Sequence, residues 1–355
     1  MSSKSALDEL LERACPSIQY RLRLEVLGEP RSMPRLRDLH SQILNDVAVQ
    51  EVFSWQQPDG WLAWNFHGDK SIESGIRLLC EKGVDPCHPI LSNALHVLER
   101  ETERLDRGIG KVGRILDDMG LGGSQTIRAA VFAYAGVEHN PFAREQIDRA
   151  LMAFRAVLTI DTLDDLLEVY KGKPIYRPDR LWPSIYHLRL LAFTRQWRTS
   201  ENQRMLIKSI QRLIDLSPLP QAHVRYKSQL IAPASFCLDD FNPNLSMLDD
   251  AQWMMWFHRM ELLSRLGVVQ ALPELARQTA VLREMLAANL GRFTKALTHP
   301  YFRKWGAYTG LMLERDWRNP QRRIYDLTFR SLLILRYAEI RVSSSPNKPF
   351  DSNPR

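Results

Sequence analysis

Residues 71–86 read SIESGIRLLCEKGVDP, and residues 124–141, SQTIRAAVFAYAGVEHNP, repeat the same plan 53 residues further along the chain (from 71 to 124). In both stretches an apolar-periodic segment ends at Gly-Val and an acidic residue, and the chain then turns through proline. Glycine adopts the left-handed conformation that ends a helix, and proline prevents the helix from continuing. The repeat predicts two helix pairs, whose second helices span 89–100 and 141–156.

Weaker copies of this plan follow in the second half of the chain. Because alternating β-branched runs bounded by Asn-Gly or Gly-Gly are absent, we predict an all-α chain. A unit of about 50–70 residues cannot bury its apolar face alone and must stack on its neighbours. The further predicted helices are 181–197 with 201–216, 252–267 with 273–290, and an unpaired helix over 324–340.

The repeats suggest three parts. Residues 1–50 are expected to form a helical segment that packs on the repeats, which occupy 51–341. The polar, proline-rich tail 342–355 is expected to be disordered. Units of two helices form either an open superhelix or a closed ring.

Composition narrows the class of protein. A hydrophobic fraction of 45%, with 9 Trp, 10 Tyr and 13 Phe, is typical of a globular chain. The net charge of +7 is spread over the sequence, so solvated helix faces are expected rather than a nucleic-acid surface. The four cysteines lack metal or disulfide spacing, and neither a signal peptide nor a membrane-spanning run is present. These features predict a cytoplasmic protein.

Residues 55–64, WQQPDGWLAW, precede the first helix pair. They resemble the Q-x-x-D-G-x-W repeat of the terpenoid cyclase and protein prenyltransferase superfamily. The resemblance implies an (α/α)5–6 toroid in which Gln56 hydrogen-bonds backbone at a helix end and Asp59-Gly60 forms a tight turn. An indole would cover the turn. The family places this indole where Leu62 stands, so Trp61 and Trp64 are both candidates.

The resemblance also implies a function, namely binding or conversion of a hydrophobic, prenyl-like molecule in an aromatic-lined central cavity. The Asp-x-Asp-Asp signature of the cyclases is absent, so the sequence leaves catalysis open. Aromatic and histidine side chains near the starts of inner helices would line the cavity. The predicted substrate-binding residues are Trp64, His67, Trp256, His258, Trp305 and Tyr308.

Two acidic groups are the candidate catalytic residues. Asp164, Asp165 and Glu168 match an Asp-Asp-x-x-Glu box that would gather Mg²⁺ and a diphosphate. The alternative is a solvated helix start with Asp161 as N-cap. Glu314 and Asp316 stand between aromatic residues and are expected at the mouth of the cavity. Apart from Mg²⁺ at the acidic box, no cofactor is predicted.

Two other motifs are interpreted as structural. Asp85 and Cys87, with His88 or His139, have prenyltransferase-like zinc spacing, but they fall in turns between helices, and no metal site is predicted. The G-x-G-x-x-G letters at 108–113 follow a charged helical stretch rather than a strand, so a dinucleotide site is not expected.

Two alternative functions stay open. A non-catalytic helical-repeat scaffold would bind protein or nucleic acid through a basic surface, although nucleic acid is not favoured. A carbohydrate-active α/α barrel would present a polar cleft containing carboxylates.

Overall fold

The computed structural model describes residues 5–339, which are mostly helical and include two small β-hairpins. The predicted disordered tail, 342–355, lies outside these residues. The α-helices are α1 (Ala6–Arg13), α2 (Pro16–Arg21), α3 (Pro34–Leu44), α4 (Val47–Phe53), α5 (Ile72–Lys82), α6 (Pro89–Arg100), α7 (Lys111–Asp118), α8 (Ser124–Tyr134), α9 (Pro141–Ala156), α10 (Leu163–Leu166), α11 (Ile185–Phe193), α12 (Ser200–Leu216), α13 (Asp250–Leu266), α14 (Pro273–Ala287) and α15 (Pro320–Glu339). The strands are β1 (Leu167–Tyr170), β2 (Lys173–Tyr176), β3 (Val224–Tyr226) and β4 (Gln229–Ile231).

The local signals for helix ends are confirmed. Helices α6 and α9 begin at the predicted prolines and end where the sequence indicated. Gly83 and Gly267 end α5 and α13 in the left-handed conformation, with φ of 94° and 76°. Asp249 caps α13, because its side chain accepts a hydrogen bond from the backbone N–H of Gln252.

The all-α prediction is wrong at the two hairpins. Strands β1 and β2 pair antiparallel across Lys171-Gly172, and both turn residues have positive φ, 51° and 73°. Two consecutive positive φ values match the right-handed twist of a tight hairpin. Lysine at the first position is an uncommon choice, so the absence of Asn-Gly and Gly-Gly did not exclude this turn.

Several helix bounds also differ from prediction: α15 begins at Pro320 rather than 324, α11 ends at Phe193 rather than 197, and α14 ends at Ala287 rather than 290. Helix α11 begins at Ile185 rather than 181, because Ser184 caps it through a reciprocal pair of bonds with His187. The proline at 183 disfavours a helical conformation for the residue before it. Thr162, not Asp161, is the N-cap of α10.

Five helices are buried on every side and pack against one another in order. Helix α5 contacts α8, α8 contacts α11, α11 contacts α13, and α13 contacts α15. Helix α15 packs on the π-helical turn Leu22–Val26 that continues α2, and α2 in turn contacts α5. Helices α9, α12 and α14 cover the outside and keep one polar face towards solvent. No helix within residues 5–339 is both long and apolar enough to cross a bilayer.

The interior between these helices holds a stretch of chain without regular secondary structure, residues 305–314, which we call the central segment. Basic side chains from three inner helices donate hydrogen bonds to its backbone carbonyl oxygens, which satisfies polar groups that burial would otherwise leave unpaired. The contacts join Arg77 to Gly306 (2.9 Å), Arg189 to Ala307 (2.6 Å), Arg330 to Leu311 (2.8 Å) and Lys82 to Leu313 (2.5 Å).

Candidate functional site

A buried carboxylate lies at the N-terminal ends of the inner helices. Glu73, in the first turn of α5, is 2% exposed. Its Oε2 lies 2.7 Å from Nδ1 of His67, and its Oε1 accepts a hydrogen bond of 2.7 Å from the hydroxyl of Tyr186. Three groups capable of proton transfer therefore meet at one point.

Capping interactions place these residues. Ser71 and Ser74 form a capping box that starts α5, so Glu73 falls in the first turn, where the helix dipole favours an anion. The corresponding box at Ser184 starts α11 and places Tyr186 in its first turn.

The loop that carries His67 is held by its neighbours in the chain. The backbone N–H groups of Phe66 and His67 both donate to the carbonyl oxygen of Arg107. A Cβ at Gly108 would lie 2.2 Å from the carbonyl oxygen of His67, so only glycine permits this approach. The glycine-rich stretch at 108–113 thus has a packing role beside His67.

Arg189 extends the cluster towards α13. Its Nη1 lies 3.9 Å from Oε1 of Glu73, and its Nη2 lies 3.1 Å from Nε2 of His258. Because a guanidinium can only donate, the imidazole nitrogen must accept, and His258 is neutral in this arrangement. Nδ1 of His258 is buried and has no partner among the described residues.

The surroundings set the protonation states. Burial alone would raise the pKa of Glu73, but the charge and hydrogen bond of His67, aided by Tyr186 and Arg189, hold it below its ordinary value. Burial raises the pKa of Tyr186 well above its usual range, and the Glu73 carboxylate adds to this shift. Burial, then the charge of Arg189, lowers the pKa of His258. Near neutral pH the cluster therefore contains an ionised Glu73 and a protonated Tyr186.

This arrangement can perform general acid–base chemistry. An ionised Glu73 accepts the Nδ1 proton of His67, so in the neutral form of His67 the unprotonated nitrogen is Nε2. Nε2 makes no hydrogen bond to any described residue, and the side chain of His67 is 12% exposed. His67 is thus the member of the cluster that a molecule from solvent can reach.

Aromatic rings surround His67. The Tyr308 ring lies 5.7 Å from the His67 ring and 5.9 Å from the Tyr186 ring, and Phe236 packs on Tyr308 at 5.7 Å. Burial raises the pKa of Tyr308 to about 12, so its hydroxyl stays protonated at neutral pH. Tyr308 belongs to the central segment, which therefore supplies one wall of the site.

The structure brings together three of the six predicted substrate-binding residues, namely His67, His258 and Tyr308. Trp305 lies nearby, with its ring 5.0 Å from the guanidinium of Arg77. Trp256 does not join this group, because it is fully buried and donates to Gln278 on the outer helix α14. Trp64 is 65% exposed, and the guanidinium of Arg107 covers one face of its ring at 4.0 Å.

The predicted structural motif lies in the loop before α5. Gln56 donates to the carbonyl oxygens of Gly60 and of Ile90 in α6, at 3.2 and 2.9 Å. Asp59 accepts from the backbone N–H of Trp61 at 3.0 Å, and Gly60 has a φ of 95°. The fully buried indole of the loop is Trp61.

The acidic box lies apart from this cluster. Asp165 accepts hydrogen bonds from the backbone of Asp161 and Thr162. Helix α10 ends at Leu166, so Glu168 falls in β1 and does not share a helical face with Asp164 and Asp165. The three carboxylates therefore lack the common helical face on which the predicted Mg²⁺ box depends.

The other acidic candidates also lie elsewhere. Glu314 is buried, accepts from the backbone N–H of Cys15 at 2.7 Å and pairs with Arg322. Asp316 is exposed and accepts from the N–H of Arg318. Within residues 5–339, no group of three His, Cys, Asp or Glu side chains is arranged to hold a metal ion.

Sequence reasoning missed Glu73, Arg77 and Arg189. The signal was present, since Glu73, Arg77 and Glu81 recur every four residues along one face of a helix that is otherwise largely apolar. A row of charged residues like this one usually lies on the side of a helix that faces solvent. Here the helix is buried all round, which only the packing of its neighbours reveals.

Comparisons with known proteins identify no relative. No family model, no curated protein and no solved structure matches this chain.

Proposed function

We propose that this protein is an enzyme that transfers protons at the Glu73–His67–Tyr186 cluster, on an α/α toroid. The hydrogen bond between the buried Glu73 carboxylate and Nδ1 of His67 carries the proposal. A carboxylate that bonds one imidazole nitrogen orients the ring and fixes which nitrogen carries the proton. His67 acts as the base through Nε2, and the protonated hydroxyl of Tyr308 is placed to act as the acid.

The order of helix contacts supports the toroid. Helices α5, α8, α11, α13 and α15 contact one another in sequence, and α15 returns to the turn Leu22–Val26. A ring of six inner helices follows if α2 and this turn together form one of them. The hydrogen bond from Gln56 in the loop at 55–64 to the carbonyl oxygen of Ile90, in the first turn of α6, also supports it.

The charges inside the ring favour a polar substrate over a prenyl one. The buried guanidinium groups of Arg77 and Arg189 stand next to the cluster, where they would repel a carbocation. The central segment also fills space that a prenyl chain would need. The exposed Trp64, three residues before His67, offers a flat apolar face of the kind on which sugar rings stack. We therefore propose a carbohydrate as the substrate class, in line with the carbohydrate-active alternative.

The test is an activity screen with matched variants. Neutral and uronate-containing oligosaccharides are incubated with the protein, and new reducing ends and unsaturated products are measured. We expect His67→Gln and Glu73→Gln to lower the rate by at least about 100-fold, as for loss of a general base. Asp164→Asn removes an exposed carboxylate as the control and should leave the rate unchanged. Equal rates in wild type and His67→Gln would contradict the proposal.

A further inference from the structure

A cavity of about 260 Å³ opens at the other end of the inner helices. Glu73 and Glu81 lie eight residues apart on α5, so the cavity is about 12 Å along the helix from the cluster at Glu73. It is lined by side chains from the last turns of α5, α8, α11 and α13. Those that matter here are Tyr20, Glu25, Glu81, Tyr134, Phe193 and Arg265.

The floor of the cavity is a buried network of three arginines and three glutamates. Its closest pairs are Arg21 with Glu25 (2.5 Å), Arg21 with Glu81 (2.6 Å), Arg265 with Glu25 (2.8 Å) and Arg330 with Glu81 (2.9 Å), and Arg330 also pairs with Glu261 (3.0 Å). The formal charges cancel, and each carboxylate is engaged by at least two guanidinium groups. These carboxylates therefore have little capacity left to bind a cation.

The polar groups of the cavity that have no hydrogen-bond partner among the described residues are all able to donate a hydrogen bond. Nε and Nη2 of Arg265 bond to the glutamates, whereas Nη1 has no partner among residues 5–339, although the side chain is only 10% exposed. The hydroxyls of Tyr134 and Tyr20 likewise make no hydrogen bond to the described part of the chain. Arg77, one turn before Glu81 on α5, bonds only to backbone carbonyl oxygens and forms no ion pair with a described residue, so it adds positive charge near the cavity. Hydrogen-bond donors and positive charge together favour an anionic ligand.

The remaining walls are apolar and rigid. The guanidinium of Arg265 lies between the rings of Phe193 and Tyr337, at 4.7 and 4.3 Å from their centroids. The Tyr134 ring packs on the Phe193 ring at 4.6 Å, and Leu24 and Val84 are among the apolar residues of the lining. An arginine held in this way is oriented before a ligand arrives, which lowers the entropy cost of binding.

We propose that this cavity binds a small organic monoanion, with its carboxylate on Nη1 of Arg265 and the hydroxyl of Tyr134 and its apolar or aromatic body against Phe193 and Leu24. The volume is slightly below the range of typical small-molecule pockets, so the ligand is a small metabolite rather than a polymer. The site is separate from the proton-transfer cluster.

Calorimetry on the full-length chain tests this site. Benzoate, phenylacetate and cyclohexanecarboxylate are titrated, each against its neutral amide. We expect the acids to bind at least about tenfold more tightly than the amides and to raise Tm, since a ligand that binds only the folded state stabilises it. Tyr134→Phe removes one hydroxyl and should weaken acid binding by about three- to tenfold. Arg265→Lys should weaken it further.

Two controls make the outcome decisive. Tyr226→Phe removes an exposed hydroxyl on β3 and should bind the acids as wild type does. His67→Gln, which should abolish the proton transfer, should keep this binding, so failure of the proton-transfer proposal is distinguishable from failure of this one. Acids that bind no better than their amides, or unchanged affinity in Tyr134→Phe, would overturn the proposal even if Arg265→Lys did not fold.

Discussion

Glu73 and Glu314 are both buried, yet their surroundings move their pKa values in opposite directions. Burial raises the pKa of each, but Glu73 faces His67, Tyr186 and Arg189, whose combined effect is larger. Glu314 has a second carboxylate, Asp326, beside it, and the exposed Arg322 compensates only in part, so its pKa rises to about 7. Cationic or anionic neighbours thus decide which form of a buried carboxyl the fold favours.

We expect Glu73→Gln to lower the free energy of unfolding at pH 7 by about 3–5 kcal/mol, because it leaves Arg189 without a buried anion. The folded pKa of Glu73 lies below the unfolded value of about 4.5. Its stabilisation is therefore present above that pH and is lost as the pH falls through the folded pKa. Urea unfolding at several pH values should show that the difference in unfolding free energy between wild type and variant becomes smaller at acidic pH. Asp316→Asn, an exposed change, should stay within about 0.5 kcal/mol.

Glu314→Gln should behave in the opposite way. The folded pKa, about 7, is above the unfolded value of 4.5, so ionisation of Glu314 costs stability as the pH rises from about 4.5 to about 7. Glutamine still accepts the bond from Cys15 and carries no charge. We expect the variant to gain stability relative to wild type across this window, as measured by Tm at pH 5, 6, 7 and 8. A constant difference in Tm would show that the carboxyl does not titrate there.

At the scale of elements, the turn at the end of one helix determines where the next helix begins. Gly83 ends α5 with a φ of 94°, which side chains other than glycine adopt at a cost, and a Cβ there would lie 2.8 Å from the Tyr20 ring. The same turn leads into Pro89 and α6. The position therefore needs glycine for both conformation and space.

We expect Gly83→Ala to destabilise the fold by at least about 2 kcal/mol, since backbone strain and a steric clash combine. Gly172→Ala is the matched control. Gly172 has a φ of 73°, but a Cβ added there would meet nothing within 4 Å, so only the strain of about 1 kcal/mol should appear. Urea unfolding of both variants separates the two costs. Equal losses would show that Tyr20 moves away freely.

At the scale of the whole molecule, charged side chains tie distant parts of the chain together. Arg330 on α15 pairs with Glu81 on α5 and Glu261 on α13, and it also binds the central segment through Leu311. These partners are separated by up to 249 residues in sequence. Breaking one member leaves the others buried without compensation.

Arg330→Met should lower the free energy of unfolding by about 3–5 kcal/mol, because Glu81 and Glu261 lose a buried cation. Adding Glu81→Gln should recover part of this loss, so the two changes are not additive. Arg149→Ala, which breaks an exposed pair with Glu145, should cost no more than about 0.5 kcal/mol. Additive losses for Arg330→Met and Glu81→Gln would show that the pair contributes nothing as a unit.

Much of the helical pattern could be predicted because helix ends depend on neighbouring residues. Prolines at 89 and 141, and glycines at 83 and 267, act within one turn of their own position. The hairpin at Lys171-Gly172 was missed because its conformation depends on pairing across the turn more than on turn composition.

The candidate site was predicted only in part. His67, His258 and Tyr308 were expected from aromatic and imidazole chemistry near inner helices, and they do lie together. Glu73 and Arg189 were missed because charged residues on a helix normally face water. Trp256 was expected in the same group, but its face of α13 turns towards α14.

Sequence alone determined the mostly helical class and many of the helix ends, since short-range backbone and side-chain chemistry controls them. Tertiary structure decided which faces of the helices are buried. It placed Glu73 against His67, buried the row of charges on α5, and put the central segment between the helices. These outcomes depend on contacts between residues far apart in sequence, whose desolvation and pairing energies exist only once the helices have packed.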